Sequence, residues 1–274
     1  MIIGGLPFGI DFQGGTEIVL GFSQKIEIGE IRFALAKVGL EKSEIKIYGK
    51  ESDILIRTSE QAEGTTVSDK IKTAIQTTYS DKRFIVLKED KIGPKIGTEL
   101  RRDALYAIIW SFLAILVYIA LRFKFAYGLG AVLALVHDVF ATFGFLSILR
   151  AVFPATNLEI SQEMIAGFLT LIGVSVNDTV VIFDRIRENE KIYRSMTLDA
   201  IMNKSLNDTL SRTIITSATI FVVLVVLLIF GGEVNRGFAF TMTFGIVTGT
   251  YSSIYIASAF VLDWSHFRNR NKTA

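Results

Sequence analysis

Five apolar stretches, each long enough to cross a lipid bilayer, limit this chain to the membrane proteins. A spanning helix needs about 20 predominantly apolar residues. The stretches cover 104–121, 126–149, 163–183, 213–230 and 237–262. The mean hydropathy of the chain is +0.45, yet residues 16–103 have the composition of a soluble domain. We therefore expect a membrane α-helical bundle at 104–264 and one small extramembrane domain at 10–103.

Basic residues indicate how the bundle is oriented. They are concentrated in the link 184–212, in the turn at Arg122 and Lys124, and in the tail 265–274. By the positive-inside rule these three segments are cytoplasmic, and five alternating spans then place residues 10–103 on the external side. Export of an N-terminal domain calls for a preceding span or signal. We therefore expect a sixth span, of which residues 1–9 are a remnant.

Apolar periodicity predicts the fold of the exported domain. The segments "TEIVLGF", "EIKIYG", "DILIRT" and "RFIVL" have the pattern of strands. Between them, apolar residues recur at helical spacing in two segments, one with Ile28, Ile31, Leu35 and Val38 and one with Val67, Ile71, Ala74 and Ile75. The order β-α-β-β-α-β is that of a ferredoxin-like α+β unit. This scaffold is common, so it indicates little about function.

The composition argues against several kinds of chemistry. The chain has no cysteine, which excludes disulfides, thiolate metal sites and a cysteine nucleophile. Its two histidines, His137 and His266, lie in different segments, and its net charge of +2 gives no basis for nucleic-acid binding. It contains no G-x-x-x-x-G-K-[ST] phosphate loop. We expect no enzymatic activity, metal or cofactor, and an ion gradient as the energy source.

Two carboxylates lie inside the apolar stretches, where an ionisable side chain is costly and therefore suggests a function. Asp138 is at the middle of "AVLALVHDVFATFGFLSIL", and Asp178 lies about 9 Å of helix rise from the charged end at Asp184. Arg212 precedes the stretch 213–230. Burial favours a neutral carboxylate and a nearby arginine favours a charged one, so a mobile contact would couple proton affinity to conformation. We hypothesise a proton relay that comprises Asp178, Arg212 and Asp138.

Polar neighbours extend this hypothesis, although a static role is also open. Hydroxyl and amide groups that could carry a hydrogen-bonded water chain belong to Asn177, Thr179, Thr213, Thr216 and Ser217. In the alternative interpretation, Asp178 is a static interhelical hydrogen-bond partner, Arg212 is a cytoplasmic anchor, and His137 neutralises Asp138 locally. The run "FDRIREN" is interpreted as a solvated helix end.

Two glycine motifs are interpreted as structural. In "GIDFQGG", residues 9–15, we assign Asp11, Gly14 and Gly15 to a turn before the first strand, because glycine permits positive φ and close backbone approach. The segment "GIVTG", residues 245–249, fits a small-xxx-small helix contact. The pattern continues through Ser252, Ser253 and Ala257, and we interpret it as packing without chemistry.

Six motifs occur in an order that resembles the SecF family of bacterial protein-export membrane proteins. They are "GIDFQGGT", "GPKIGTELRRDA", "LALVHDV", "GVSVNDTVVIFDRIREN", "SLNDTLSRTIITSATI" and "FGIVTGTYSSIYIASAF". The resemblance implies a six-span protein of the resistance-nodulation-division superfamily in the bacterial cytoplasmic (inner) membrane. The family's important intramembrane positions fall here on Asp178 and Arg212, with Asp138 in its own motif.

The resemblance also implies partners and an energy source. Members work with SecD beside the SecYEG channel, in contact with membrane lipid, and use the proton gradient to promote export of preproteins. Two alternatives stay open: a proton-coupled small-molecule or lipid exporter of the same superfamily, and a structural assembly factor without ion flux. The small size of the exported domain argues against the exporter. The coupling ion, proton or sodium, is also open.

Overall fold

The computed structural model describes residues 2–3, 5–60, 66–123, 125–156, 158–232 and 234–273. It separates the chain into two compact units, one of Met1–Ile3 with Pro7–Ala104 and one of Gly4–Leu6 with Leu105–Ala274. The division at Ala104 lies beside the boundary expected between 103 and 104. Lys124, which the topology argument used, lies outside the described residues.

The first unit contains the exported domain. Its elements are α1 (Ile10–Gln13), β3 (Gly15–Phe22), α2 (Ile28–Ala36), β4 (Glu44–Tyr48), β5 (Lys50–Thr58), α3 (Thr66–Thr78) and β6 (Phe84–Ile92). They are preceded by two short strands, β1 (Ile2–Ile3) and β2 (Leu6–Pro7). The assignment of residues 1–9 to the remnant of a span stays a prediction.

The sheet of this domain has four antiparallel strands in the order β4-β5-β3-β6. The predicted order β-α-β-β-α-β is confirmed, and the arrangement is that of a ferredoxin-like unit. One face of the sheet packs against α2 and α3 around a core that includes Ile18, Ile56, Ile31 and Ile71. A capping box fixes the first turn of α2. The Glu27 side chain accepts a hydrogen bond from the backbone N–H of Glu30, and the Glu30 side chain accepts one from the backbone N–H of Glu27.

The paired glycines before β3 have a backbone that only glycine adopts easily. Gly14 has φ 73° and Gly15 has φ 135°. A Cβ on Gly15 would also collide with the carbonyl oxygen of Thr58 on the neighbouring strand. Asp11 lies within α1, directly before these glycines. The geometry accounts for the glycines as a structural requirement of the turn into the sheet.

The second unit is a helical bundle. Its helices are α4 (Pro94–Arg122), which begins before the division, α5 (Phe125–Val152), α6 (Gln162–Ile192), α7 (Leu198–Phe230), α8 (Arg236–Ser252) and α9 (Ser258–Thr273), with a 3-10 turn at Pro154–Thr156 and a π-helical segment at Ser253–Ala257. The five expected spans are confirmed as helices that are long and apolar enough to cross a membrane, the last of them running continuously from α8 into α9.

The link 184–212 is not the loop that the sequence suggested. The third span continues as helix to Ile192, and α7 begins at Leu198, where the Thr197 side chain caps its first turn. Hydropathy shows where apolar residues end, whereas arginine, lysine and glutamate continue a helix at little cost. The two extensions are joined by an ion pair, in which the Arg185 guanidinium lies 2.7 Å from the Asp208 carboxylate.

Helix α8 is at the centre of the bundle and packs against α5, α6 and α7. Small residues permit its close approach to α6. A Cβ added at Gly249 would lie 3.1 Å from the Ser175 Cβ, and one added at Gly245 would press against the Leu171 side chain. The predicted contact at "GIVTG" is therefore made with α6. This crossing brings polar side chains of three helices together.

Candidate functional site

Asp138, on α5, is the most deeply buried acidic side chain of the bundle, with 1% of its surface exposed. Its Oδ2 accepts hydrogen bonds from the Ser175 hydroxyl of α6 at 2.6 Å and the Ser252 hydroxyl of α8 at 2.7 Å. Its Oδ1 lies 3.2 Å from Nδ1 of the neighbouring His137. The carboxylate thus connects three helices at their crossing.

Asp178, on α6, has 5% of its surface exposed. Its Oδ2 accepts a hydrogen bond of 3.3 Å from the Ser217 hydroxyl of α7. Ser217 in turn accepts a 2.7 Å hydrogen bond from the Thr250 hydroxyl of α8. A short hydroxyl chain therefore leads from α8 through α7 to the second carboxylate.

Helix α8 ends next to Asp138, where the chain becomes π-helical. The first residue of the π segment, Ser253, lies 2.8 Å from the Thr179 hydroxyl and donates to the Ser175 carbonyl at 3.3 Å. Short π segments inside α-helices frequently mark functional sites. Here the segment adjoins Ser252, which contacts Asp138 directly.

Several of these hydroxyls have two acceptors within reach but a single hydrogen to donate. Ser252 can donate to Asp138 or to the Gly249 carbonyl, which lies at 3.1 Å. Thr250 can donate to Ser217 or to the Ile246 carbonyl, each at 2.7 Å. The hydrogen-bond network can therefore be redistributed without moving the backbone.

Not every residue of the hypothesised relay lies in this cluster. Thr179 and Ser217 do, and Thr213 is buried. Asn177 is exposed on α6. Arg212 is also exposed; it is near enough to Asp178 for a coulombic interaction, although the described part of the chain contains no ion pair between them. The role of Arg212 stays a prediction.

Sequence reasoning missed four contributors: Ser175, Thr250, Ser252 and Ser253. The last two lie in the small-residue pattern that we interpreted as packing; the structure shows this packing and adds hydrogen bonds from both serines. A usable signal was present, because the pattern "GTYSS" places one threonine and two serines just after the glycine of the helix crossing. Hydroxyls between membrane helices commonly bond across the interface.

The chemistry available to this cluster is proton exchange and hydrogen bonding. Within the described ranges, no group of three or more His, Asp or Glu side chains could hold a metal ion. Likewise, among the residues described, neither Asp138 nor Asp178 forms an ion pair with a lysine or an arginine. Each carboxylate can therefore change its protonation state without breaking a salt bridge to a lysine or an arginine of the described residues.

Comparison with known protein families gives two matches. Residues 70–267 match the family described as "Protein export membrane protein SecD/SecF, C-terminal". Residues 1–26, which include the paired glycines, match the SecD/SecF GG motif.

Similar proteins and solved structures agree with these matches. Protein translocase subunit SecF of Rhodothermus marinus is 44% identical over 263 residues, which cover 96% of this chain and 85% of the relative. The SecF subunit of Thermodesulfovibrio yellowstonii is 44% identical over 256 residues, or 93% and 82% of the two chains.

The crystal structure of SecDF, a translocon-associated membrane protein from Thermus thermophilus, matches 96% of this chain with a TM-score of 0.81 and 35% identity. A SecDF structure in a super-membrane-facing form matches 98% of the chain with a TM-score of 0.69 and 34% identity. The chain spans about a third of the SecDF polypeptide, 35% and 36% in the two cases. On the family match and the identity to curated relatives, the chain belongs to the SecD/SecF family of protein-export membrane proteins.

Proposed function

We propose that this protein is a SecF-type subunit of the protein-translocation machinery and couples the proton gradient to polypeptide export through Asp138 and Asp178. The observation that carries the proposal is the environment of Asp138. This carboxylate is fully buried at the crossing of α5, α6 and α8, and its donors Ser175 and Ser252 are neutral hydroxyls.

Protonation of Asp138 changes the contacts among three helices. The charged form accepts hydrogens from Ser175 and Ser252 at the same oxygen. When Oδ2 carries a proton, Ser252 can turn its hydrogen to the Gly249 carbonyl on its own helix. The link between α5 and α8 is then weakened at little cost to α8. A proton thus favours one helix arrangement over another, which is the requirement for coupling.

Asp178 is a second carboxylate that could exchange a proton, and its charged form has weaker hydrogen bonding than that of Asp138. The Ser217 hydrogen bond is long at 3.3 Å, and Arg212 acts on Asp178 through space without a direct contact. A conformational change that brings Arg212 against Asp178 would stabilise the carboxylate and release its proton. We therefore assign Arg212 as the residue that modulates proton affinity at Asp178.

The family assignment makes the chain a multi-pass inner-membrane protein with a periplasmic segment. We propose SecD, the SecYEG channel, translocating preproteins and membrane lipid as its partners. Helix α4 supports a contact with lipid or a partner helix. Its large apolar side chains are not covered by the rest of this chain: Trp110, Leu105 and Val117 are 67%, 56% and 57% exposed. Lipid or a partner helix must cover them.

The alternatives receive less support. The relatives are named as protein translocase subunits, which does not favour the small-molecule or lipid exporter. We propose that the chain has no enzymatic chemistry of its own. A purely structural factor would not require two buried carboxylates that, among the described residues, form no ion pair with a lysine or an arginine.

The test is gradient-dependent export by Asp178→Asn, measured in vesicles that contain SecD and the channel. Asparagine keeps the shape and hydrogen bonding but cannot titrate, so we expect normal assembly and loss of export driven by the proton gradient. Asp178→Glu is the matched control, because it keeps a titratable carboxyl and should retain part of the activity. Arg212→Met should be impaired like Asp178→Asn. Full activity of Asp178→Asn at equal abundance rules out the relay.

A further inference from the structure

His137 is a titratable residue of the bundle to which the proposed coupling assigns no role. It lies on α5, about 18 Å of helix rise from Phe125, and thus near the middle of a hydrocarbon core of about 30 Å. Its side chain is 39% exposed. On the same side of α5, Leu133 and Phe140 are also exposed. An imidazole therefore lies at mid-membrane depth on a side of the helix that the described residues leave uncovered.

The surroundings of the imidazole are polar on one side only. Nδ1 of His137 lies 3.2 Å from Oδ1 of Asp138. The second ring nitrogen, Nε2, makes no hydrogen bond to any of the residues that the structure describes. Ionisable side chains inside a membrane almost always face the bundle interior or a water-filled cavity. The uncovered side of His137 is therefore expected to meet water.

The two oxygens of Asp138 have different partners. Oδ2 accepts the hydrogens of Ser175 and Ser252, at 2.6 Å and 2.7 Å, whereas Oδ1 faces His137. Because two donated hydrogens already occupy Oδ2, an arriving proton is expected on Oδ1. The oxygen that takes up the proton is thus the one that contacts the imidazole.

The two protonation states of Asp138 require different tautomers of His137. An ionised carboxylate only accepts, so Nδ1 then carries the ring hydrogen and Nε2 is an acceptor. When Oδ1 carries a proton, its O–H donates to Nδ1, and the ring hydrogen is on Nε2. The imidazole can therefore stay neutral in both states and change which nitrogen bears the hydrogen.

We propose that His137 loads and unloads Asp138 by passing protons between Oδ1 and water on the uncovered side of α5. In loading, a hydronium ion gives its proton to Nε2 and becomes water, while the hydrogen on Nδ1 passes to Oδ1. Unloading is the reverse and restores the first tautomer. The proposal rests on the proton exchange proposed at Asp138 and identifies its route.

A proton on Oδ1 also alters the helix contacts made by Oδ2. Hydrogen bonds to an ionised group are roughly twice as strong as those between neutral groups. Loading therefore weakens the bonds that Ser175 and Ser252 donate to Oδ2. Ser252 has the Gly249 carbonyl at 3.1 Å as a second acceptor. Proton transfer through His137 thus loosens the contact between α5 and α8.

The test is chemical rescue in vesicles that contain the chain, SecD and the channel. His137→Ala removes the imidazole and leaves space for a small one. We expect gradient-dependent export to fall about 100-fold, the lower end of what a positioned proton donor contributes. Added imidazole should restore part of the export in proportion to its concentration. Phe140→Leu, on the same side of α5, should export normally with and without imidazole.

A second variant separates proton transfer from hydrogen bonding. His137→Gln keeps a hydrogen-bond donor beside Asp138 but cannot pass a proton, and its side chain fills the site. It should assemble normally, lose export and not respond to imidazole. Normal export by His137→Gln overturns the proposal. A loss in His137→Ala that imidazole leaves unchanged also overturns it, because His137 would then only hold Asp138 in place.

Asp138→Asn, measured in the same vesicles, distinguishes failure of this route from failure of the proposed function. If Asp138→Asn exports normally, both are wrong. If Asp138→Asn loses export while His137→Gln exports normally, Asp138 keeps its proposed role and the route through His137 is wrong.

Discussion

The exported domain and the membrane bundle both bury carboxylates, but they hold them in opposite ways. In the sheet, Glu17 has 3% of its surface exposed and contacts Arg57 at 2.5 Å and Lys88 at 3.1 Å. In the bundle, Asp138 is equally buried and is held by the hydroxyls of Ser175 and Ser252. Two cations contact Glu17, whereas Asp138 is held by two hydroxyls on one oxygen and has His137 beside the other.

The two sets of partners have different consequences for protonation. Burial alone would raise the pKa of Glu17, but Arg57 and Lys88 outweigh burial and hold that pKa below its usual value. The pKa of Lys88 is raised, although burial opposes this, because Asp90 and Glu17 stabilise its charged form. Cationic partners fix a carboxylate in its charged state, whereas hydroxyls can serve either state. The comparison predicts a structural role for Glu17 and a switching role for Asp138.

The largest effect is expected in the bundle. Asp138→Asn keeps an oxygen that can accept from Ser175 and Ser252, so abundance and melting temperature should change little, while gradient-dependent export should be lost completely. Thr142→Val is the matched control, since it removes the 3.1 Å hydrogen bond to Thr248 one turn away and should preserve export. Normal export by Asp138→Asn in reconstituted vesicles would show that Asp138 has no switching role and does not differ from Glu17 in this respect.

In the sheet, the largest effect should be on stability. Arg57→Met leaves Glu17 buried with one cation and should lower the free energy of unfolding of the exported domain by about 3–5 kcal/mol. Amide hydrogen exchange in β3 and β5 measures this loss. In the double variant Glu17→Gln/Arg57→Met, most of the stability should return, because no uncompensated charge is left in the sheet.

An exposed ion pair of the same domain provides the control for Arg57→Met. The side chains of Lys25 and Glu51 are 64% and 73% exposed although they lie 2.9 Å apart. Lys25→Met should therefore leave the free energy of unfolding nearly unchanged, because water and salt screen an exposed pair. Equal losses in Lys25→Met and Arg57→Met would contradict the argument from burial.

A smaller effect should follow from widening the helix crossing beside Asp138. The Cβ of Gly249→Ala would lie 3.1 Å from the Ser175 Cβ, and such overpacking costs about 1–3 kcal/mol. Gly173→Ala on α6 has no atom within 4 Å of its added Cβ and should be neutral or stabilising. Melting temperatures of the two variants in detergent compare them. Equal melting temperatures would show that the crossing tolerates expansion.

The smallest effect should be the pH dependence of the exported domain. Because the pKa of Glu17 is lowered from 4.5 on folding, its contribution to stability is present above that value and is lost as the pH falls through the folded-state pKa. When the pH is lowered from 7 to below 4.5, the wild type should therefore lose more of its free energy of unfolding than Glu17→Gln does. Parallel profiles would show that Glu17 titrates alike in both states.

The exported domain was predictable from sequence because its apolar residues recur with periods that distinguish strands from helices. The segment "TEIVLGF" became β3, and the spacing of Ile71 and Ile75 became the buried face of α3. The spans were predictable from length and hydropathy. The helical extensions at Ile192 and Leu198 were not, because hydropathy carries no information about where a charged helix ends.

The candidate site was predictable only in part. Depth identified Asp138 and Asp178, since few charged residues occur within apolar stretches. Their donors depend on how each helix is rotated about its axis, which one sequence does not determine. Ser175 therefore went unnoticed, whereas Arg212, chosen for its depth, is exposed in this conformation.

The continuous helix α6 connects the buried carboxylates to a segment that is longer than the bilayer requires. Its 31 residues measure about 46 Å at 1.5 Å per residue, against about 30 Å for the hydrocarbon core of a bilayer. About 16 Å of rigid rod therefore extends beyond the membrane, and the Arg185–Asp208 pair attaches it to the matching extension of α7. A tilt of about 10° at Asp178, which lies about 21 Å from the helix end at Ile192, would displace that end by about 4 Å. If the carboxylates exchange protons as proposed, a change in the tilt of α6 at Asp178 would move the helix end outside the bilayer.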